Sequence, residues 1–235
     1  MNRAALPSHL SHKSALAVVL AEEESSLAYH VIQGVRQAHD KSYHRWPPHI
    51  NLLYPFLAGP SRQIDDILAR ITDAVGDLPA FPATFSELNH FTHSKKSATL
   101  FLEPDAASTA SKLKQLQAAL EKAFPECNHD TRPFVPHLTL GQASGGQAVQ
   151  SLAHLVDVSF QDEIAPAAPA DDAEDLFNEL TNSIAFHKPS GSDPFGKQAD
   201  RATPWILQWT IRRVVVLERQ GFEDPFVIVG QVDLK

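Results

Sequence analysis

A single cysteine, Cys127, stands in 235 residues. No intrachain disulfide can form, and neither a cysteine-rich zinc site nor a secreted disulfide scaffold is available, which fits a reducing compartment. Positive charge is also scarce: 20 Lys and Arg against 28 Asp and Glu leave a formal net charge of −8 and a pI near 5.8. That argues against a protein that coats long duplexes through a basic stripe, while leaving room for local positive pockets. Long apolar runs are missing too. The run "ALAVVLA", Ala15 to Ala21, sits behind Arg3 and Lys13 as the core of a secretory signal would, but it is far too short to span a bilayer and lacks a convincing cleavage site. It reads as a first buried strand. An intracellular protein, cytoplasmic or nuclear and with no membrane partner, is expected.

What is present is an ordinary globular composition, 43% hydrophobic and 20% charged, in a chain long enough to bury a substantial core. After the first strand, Ser25 or Ser26 can cap a helix running to about His39, with Leu27, Val31 and Val35 on one side. Ile64, Ile67, Leu68, Ile71, Val75 and Leu78 follow helical spacing from Gln63 to Leu78. "FPATFSELNHF" and "SATLFLEP" read as two strands joined through the polar "THSKKS". A second amphipathic helix is expected from Ser108 to Phe124, ended by Pro125, and a further one from Gln147 to Val158. Gln161 to Thr203 is rich in Ala, Pro, Asp, Glu, Ser and Gly and reads as a peripheral insertion with one helix around Asp175 to Phe186. "WILQWTIRRVVVLERQ" and "PFVIVGQVDL" close the chain as two β-rich segments. The order predicts an α+β protein with helices packed outside antiparallel sheets, a single domain over 13–235.

Two of the strands carry polar residues where apolar ones are the rule. In "WPPHINLLYPF", His49 and Asn51 interrupt an apolar run; in "RPFVPHLTLGQ", His137 and Thr139 do the same. An unpartnered polar group in a buried strand costs roughly 1–3 kcal/mol, so each pair needs a reason. Side chains two apart share one face of a strand and lie roughly 6.5–7 Å apart along it, near enough to lean toward one tetrahedral anion. An Asn amide and a Thr hydroxyl each donate a hydrogen bond to an anionic oxygen, and histidine can hold or release a proton near neutral pH. Facing each other across a cleft, two such strands would serve an in-line displacement at phosphorus: one imidazole takes a proton from water, the other protonates the departing oxygen.

The paired "PHINL" and "PHLTL", 88 residues apart, resemble the two His-x-Thr/Ser signatures of the 2H phosphoesterase superfamily, which includes RNA 2′,3′-cyclic phosphodiesterases and 2′-5′ RNA ligases. The resemblance implies two pseudo-symmetric lobes around a central cleft, each contributing one motif. It implies His49 and His137 as the catalytic acid/base pair, Asn51 and Thr139 as phosphate donors, no cofactor, and a small nucleotide or RNA end as substrate for a monomeric enzyme. The sequence departs from the pattern at Asn51, where Thr or Ser is usual, and at Gln142, where some bacterial members carry a phosphate-contacting Arg.

Other residues carry weaker signals. Trp46, Tyr54, Phe91 and Phe134 could stack on a nucleobase, Phe134 being the favoured base contact because it closely precedes His137, whereas the rest read as core. Arg45, Lys95 and Arg132 could attract a phosphate but read as solubilising charge, and Arg212 with Arg213 as a solvated strand end. His44, His90, His93 and His129 suggest a metal site that no carboxylate or cysteine set completes, so no metal is expected. Two alternatives stay open: a non-catalytic RNA-end or nucleotide-binding module, and a metal-dependent hydrolase.

Overall fold

A computed structural model of the chain describes residues 6–128, 132–164 and 205–235. His129, the expected helix at 175–186 and all but the first residues of the expected insertion lie outside them.

The chain opens with a short strand β1 (Leu10–Ser11) and then β2 (Ser14–Val19), which is buried along its whole length, as its unbroken apolar run requires. Ser25 caps α1 (Ser26–His39), its hydroxyl accepting from the Ala28 amide. The buried stripe of α1 is Ala28, Val31, Ile32 and Val35, while Leu27 is 52% exposed. The expected stripe was thus turned by about one position: Ala28 and Ile32 take the inner face, and Leu27 is left outside. Strand β3 (His49–Leu53) follows, then β4 (Phe56–Leu57), which pairs with β1. Helix α2 (Ile64–Val75) buries Ile67, Ile71 and Val75 and stops three residues short of the expected Leu78, because Gly76 closes it with its amide on the Thr72 carbonyl.

The predicted hairpin forms from β5 (Phe81–Ser94) and β6 (Ser97–Pro104). Its connection is shorter than expected: the ladder continues through the polar residues to Ser94 opposite Ser97, leaving only Lys95 and Lys96 in the turn. Helix α3 (Thr109–Ala123) buries Leu113, Leu116 and Leu120, and Phe124 and Pro125 end it. Strand β7 (Leu138–Ala143) begins one residue after His137. Helix α4 (Gly146–Ile164) overruns the expected end at Val158, since Phe160 extends the buried row Val149, Leu152, Val156 by one more turn. The first four residues assigned to the insertion, 161–164, therefore belong to this helix.

The closing segment holds a topological surprise. What reads as one β run is two strands, β8 (Leu207–Ile211) and β9 (Arg213–Glu218), in different sheets, before the last strand β10 (Val227–Asp233). Arg212, exposed, links the two strands and Arg213 opens β9, so the expected strand end is the point where the chain passes from one sheet to the other. The Arg212 carbonyl accepts from the Leu234 amide, and Arg213 is half-buried 3.7 Å from Glu24.

Two four-stranded antiparallel sheets result, with orders β10-β9-β2-β3 and β7-β6-β5-β8. They are built alike: β2-α1-β3 in one lobe answers β6-α3-β7 in the other, and the histidine strand is an outer strand in both. The helices are exchanged. α1 and α4 pack against the second sheet, α2 and α3 against the first, so one continuous core runs through both lobes. The far face of the first sheet carries a smaller cluster of Ala15, Ala17, Val19, Val215, Leu217 and Phe226 under Trp46. Among the described residues no helix is long and apolar enough to cross a membrane.

Candidate active site

β3 and β7, the outer strands of their sheets, lie against each other. On β3, Ile50 and Leu52 point into the main core, while His49 and Asn51 point to the opposite face, where their cross-strand partners are Val19 and Ala17. On the second sheet, Leu138 and Leu140 are core residues, and Thr139 stands opposite Phe101 on the other face. Strand alternation thus does to both motifs what it must, burying one set and presenting the other.

The two imidazoles are held by the same device. His49 Nδ1 lies 2.8 Å from the Pro47 carbonyl and His137 Nδ1 lies 2.7 Å from the Val135 carbonyl. A carbonyl only accepts, so Nδ1 carries the proton in each ring and the neutral ring keeps its lone pair on Nε2. The local sequence explains the match. Pro48 and Pro136 hold the preceding residue in extended backbone, which turns its carbonyl toward the ring two positions on. Both prolines are read in the motif, yet their service to the tautomer shows only in the structure.

Around His49 the packing is aromatic. Trp46 stacks on it with centroids 4.3 Å apart and planes 12° apart, and Phe226 stacks on Trp46 at 3.7 Å. With both His49 and Phe226 against its ring, Trp46 is engaged within the protein. Tyr54 meets its edge at 5.5 Å, and the Arg219 guanidinium covers Phe226 at 4.6 Å. Asn51 Nδ2 donates to His49 Nε2 at 3.1 Å, while its buried Oδ1 has no partner. Burial pushes the His49 pKa down to about 4, helped by the Arg36 guanidinium and the His137 imidazole and opposed by the Pro47 hydrogen bond and the Asp40 carboxylate. The two rings are therefore close enough that a proton on His137 opposes one on His49.

His137 stands among phenylalanines. Phe91 meets its ring edge-on at 4.9 Å and Phe101 is tilted at 5.3 Å. Burial lowers its pKa too, against the pull of Val135. Phe134, the favoured base contact from the sequence, is half-buried and leans on the main core. Phe91, read as core, is the aromatic beside the histidine instead. Phe91 lies on the face of Phe101, opposite the core face that carries Leu88, Leu100 and Leu102, because a register shift between Phe85 and Glu87 turns the alternation of β5 over; that shift is not written in the local sequence.

The remaining candidates fall elsewhere. Gln142 binds within the protein, its Nε2 donating to Asp40 Oδ1 at 3.0 Å and its Oε1 accepting from the Lys41 amide at 2.9 Å. Arg45 reaches Ser42 and lies 3.7 Å from the exposed Glu223. Lys95 is in the β5–β6 turn, and Arg132 is exposed. His44 packs edge-on against Tyr43, and His93 contacts Thr99 at 2.9 Å. No three His, Cys, Asp or Glu side chains among the described residues are grouped to hold a metal ion. Cys127 is buried, and burial beside Glu126 pushes its thiol up to about 12, where it has little nucleophilic character.

Two sheets with exchanged helices and a histidine at the head of each facing outer strand define a two-lobed α+β architecture. The family model described as the 2′-5′ RNA ligase superfamily matches residues 23–186, and the chain belongs to that superfamily. It is 29% identical over 133 residues to a Geobacillus kaustophilus (strain HTA426) protein provisionally named a phosphoesterase, covering 55% of this chain and 72% of the relative. Among solved structures, E. coli LigT complexed with 3′-AMP matches with a TM-score of 0.50 at 14% identity, over 95% of this chain and 98% of that one. That likeness establishes the fold.

Proposed function

We propose that this protein is a metal-independent phosphodiesterase that hydrolyses a cyclic or terminal RNA-type phosphodiester, a 2′,3′-cyclic phosphate before others, with His49 and His137 as its acid/base pair. The observation that carries the reading is the matched tethering of the two rings. Each has Nδ1 committed to a carbonyl, which makes Nε2 the proton-transfer atom, in His49 once Asn51 Nδ2 releases it, and the two rings stand at the heads of adjoining outer strands.

The roles follow from the surroundings. His49, with Arg36 behind it and a pKa near 4, is neutral throughout the physiological range and serves as the base: its Nε2 takes a proton from water as the water oxygen attacks phosphorus. For His137 the causes of the shift are burial and the Val135 hydrogen bond, and a bound phosphodiester anion favours its imidazolium. As the phosphorus–oxygen bond to the ribose breaks, His137 Nε2 delivers its proton to the leaving oxygen, giving a phosphomonoester and a free hydroxyl. For His49 Nε2 to take that proton, Asn51 Nδ2 leaves it and turns its amide to the substrate; the freed amide and the Thr139 hydroxyl on the facing strand are both suited to the non-bridging oxygens. Between them the rings account for both proton transfers. The net charge of −8 favours a compact substrate over a long polyanion, and the size of 3′-AMP, the ligand of the LigT structure, agrees with that.

Incubation with 2′,3′-cyclic nucleotides, 2′-5′-linked oligoadenylates and ADP-ribose cyclic phosphate, with and without chelator, tests the reading. A cyclic nucleotide should open to a single phosphomonoester regioisomer, and chelator should not matter. His49→Ala and His137→Ala should each lower turnover by roughly 10²–10⁴ without unfolding. Wild-type rates in both variants would refute the mechanism, and tight product binding with no turnover would point to a binding module.

A further inference from the structure

Behind the candidate site lies a polar knot whose groups neither give nor take a proton in the proposed chemistry. Arg36 is 1% exposed and Asp40 7% exposed, a burial that a charged pair tolerates only when every group is engaged. Arg36 donates through Nε and Nη2 to Asp40 Oδ2 at 3.1 and 2.8 Å, through Nη1 to Gln33 Oε1 at 2.8 Å, and through Nη2 to the Trp46 carbonyl at 2.8 Å. Asp40 Oδ1 accepts from the Ser42 amide at 2.8 Å and from Gln142 Nε2 at 3.0 Å.

Each end of this knot reaches a histidine strand. The Trp46 carbonyl belongs to the residue stacked on His49, three positions before it. Gln142 lies on β7, five residues after His137. The seam between them is tight, because a Cβ on Gly141 would come within 2.7 Å of His39 Cβ and 2.9 Å of the His39 carbonyl oxygen at the end of α1. Glycine permits that approach, and the Gln142 side chain then locks it with two hydrogen bonds.

We propose that Arg36, Asp40 and Gln142 are positioning residues: together they form a buried bracket that fixes Trp46, and through it the His49 ring, at a set separation from the His137 strand. This rests on the reading of the two histidines as the reacting pair. The bracket also sets charge. Arg36 and Asp40 face His49 from α1 and its cap, and His137 faces it from the β7 side; the guanidinium holds the His49 pKa down more strongly than the Asp40 carboxylate lifts it.

The bracket therefore makes a prediction of opposite signs. Asp40→Asn leaves the guanidinium uncompensated and should lower the His49 titration midpoint, whereas the charge-balanced double variant Arg36→Gln/Asp40→Asn should raise it toward the ordinary histidine value. NMR titration of the labelled imidazoles in the full chain reads both. Gln142→Ala should shift the ring resonances of both His49 and His137. On a 2′,3′-cyclic nucleotide it should lower kcat about tenfold or more with KM within about twofold, as displaced catalytic groups do. If Asp40→Asn does not fold, the double variant and Gln142→Ala carry the test. A His49 midpoint that the double variant leaves unmoved, or Gln142→Ala with both rings' resonances unchanged, overturns the bracket. An inactive wild-type protein would defeat the phosphodiesterase reading while leaving the titrations to decide the bracket.

Discussion

The burial of a neutral His49 should appear in the protein's stability as well as in its chemistry. A histidine titrates near 6.5 in an unfolded chain and near 4 here. Between those values the unfolded chain binds a proton that the folded one refuses, so stability falls as pH is lowered from about 6.5 and levels off below about 4. At pH 5 the two values give about 2 kcal/mol of destabilisation relative to neutral pH, and about 3 kcal/mol once both forms are protonated, at 1.36 kcal/mol for each pH unit. In a chain of this size about 2 kcal/mol lowers the thermal midpoint by roughly 4–8 °C. Urea melts of the wild type and of His49→Gln at pH 7.5 and pH 5.0 isolate the effect. Gln cannot take the proton, so its loss on acidification should be smaller than that of wild type by about this amount, the portion due to His137 remaining in both. Equal losses in the two proteins would show that His49 is not held neutral, and the assignment of His49 as the base would fall with it.

Phe160, fully buried and edge-on to Trp205 at 5.0 Å, anchors the last turns of α4; Phe160→Ala should cost about 3–5 kcal/mol in chemical denaturation and leave KM unchanged. Gly141→Ala forces a new Cβ against the backbone of His39 and should cost about 1–3 kcal/mol by overpacking, with a fall in kcat larger than any change in KM. Cys127, buried with its thiol pushed up to about 12, should react with a thiol reagent only as the protein unfolds, so native-state labelling at pH 8 should be far slower than labelling in denaturant.

Much of this architecture was written in local periodicity. The stripes Ile67, Ile71, Val75 and Leu113, Leu116, Leu120 mark their helices because a helix that covers a sheet must repeat apolar residues every three or four positions. His49 with Asn51 and His137 with Thr139 were visible because polar residues at spacing two have no place in a buried strand unless they face something. What was not legible is non-local. The break at Arg212 that sends β8 and β9 into different sheets leaves little composition signal, since Leu207, Trp209 and Ile211 are as buried and apolar as the row Val214 to Leu217 that follows. Phe91 was undervalued and Phe134 favoured because nearness in sequence to His137 stood in for nearness in space. The long β5 strand brings Phe91 to the ring, and no local pattern records its register. Gln142 is the same lesson for a polar residue: its two partners, Lys41 and Asp40, are about a hundred positions away.

The exchange of helices between lobes gives these non-local contacts their purpose. Were each sheet covered by its own helix, the two lobes could shift against each other with little loss of buried surface, and an acid and a base on separate strands would drift apart. Here the helix that follows β2 packs on the sheet of His137, and the helix that follows β6 packs on the sheet of His49, so sliding one lobe would open a core shared by both. A well-packed interior does not deform smoothly. Two imidazoles on outer strands, each with its tautomer fixed by a proline-set carbonyl, are therefore held in register by the whole hydrophobic interior, and fine adjustment is left to the few buried polar contacts between the end of α1 and β7.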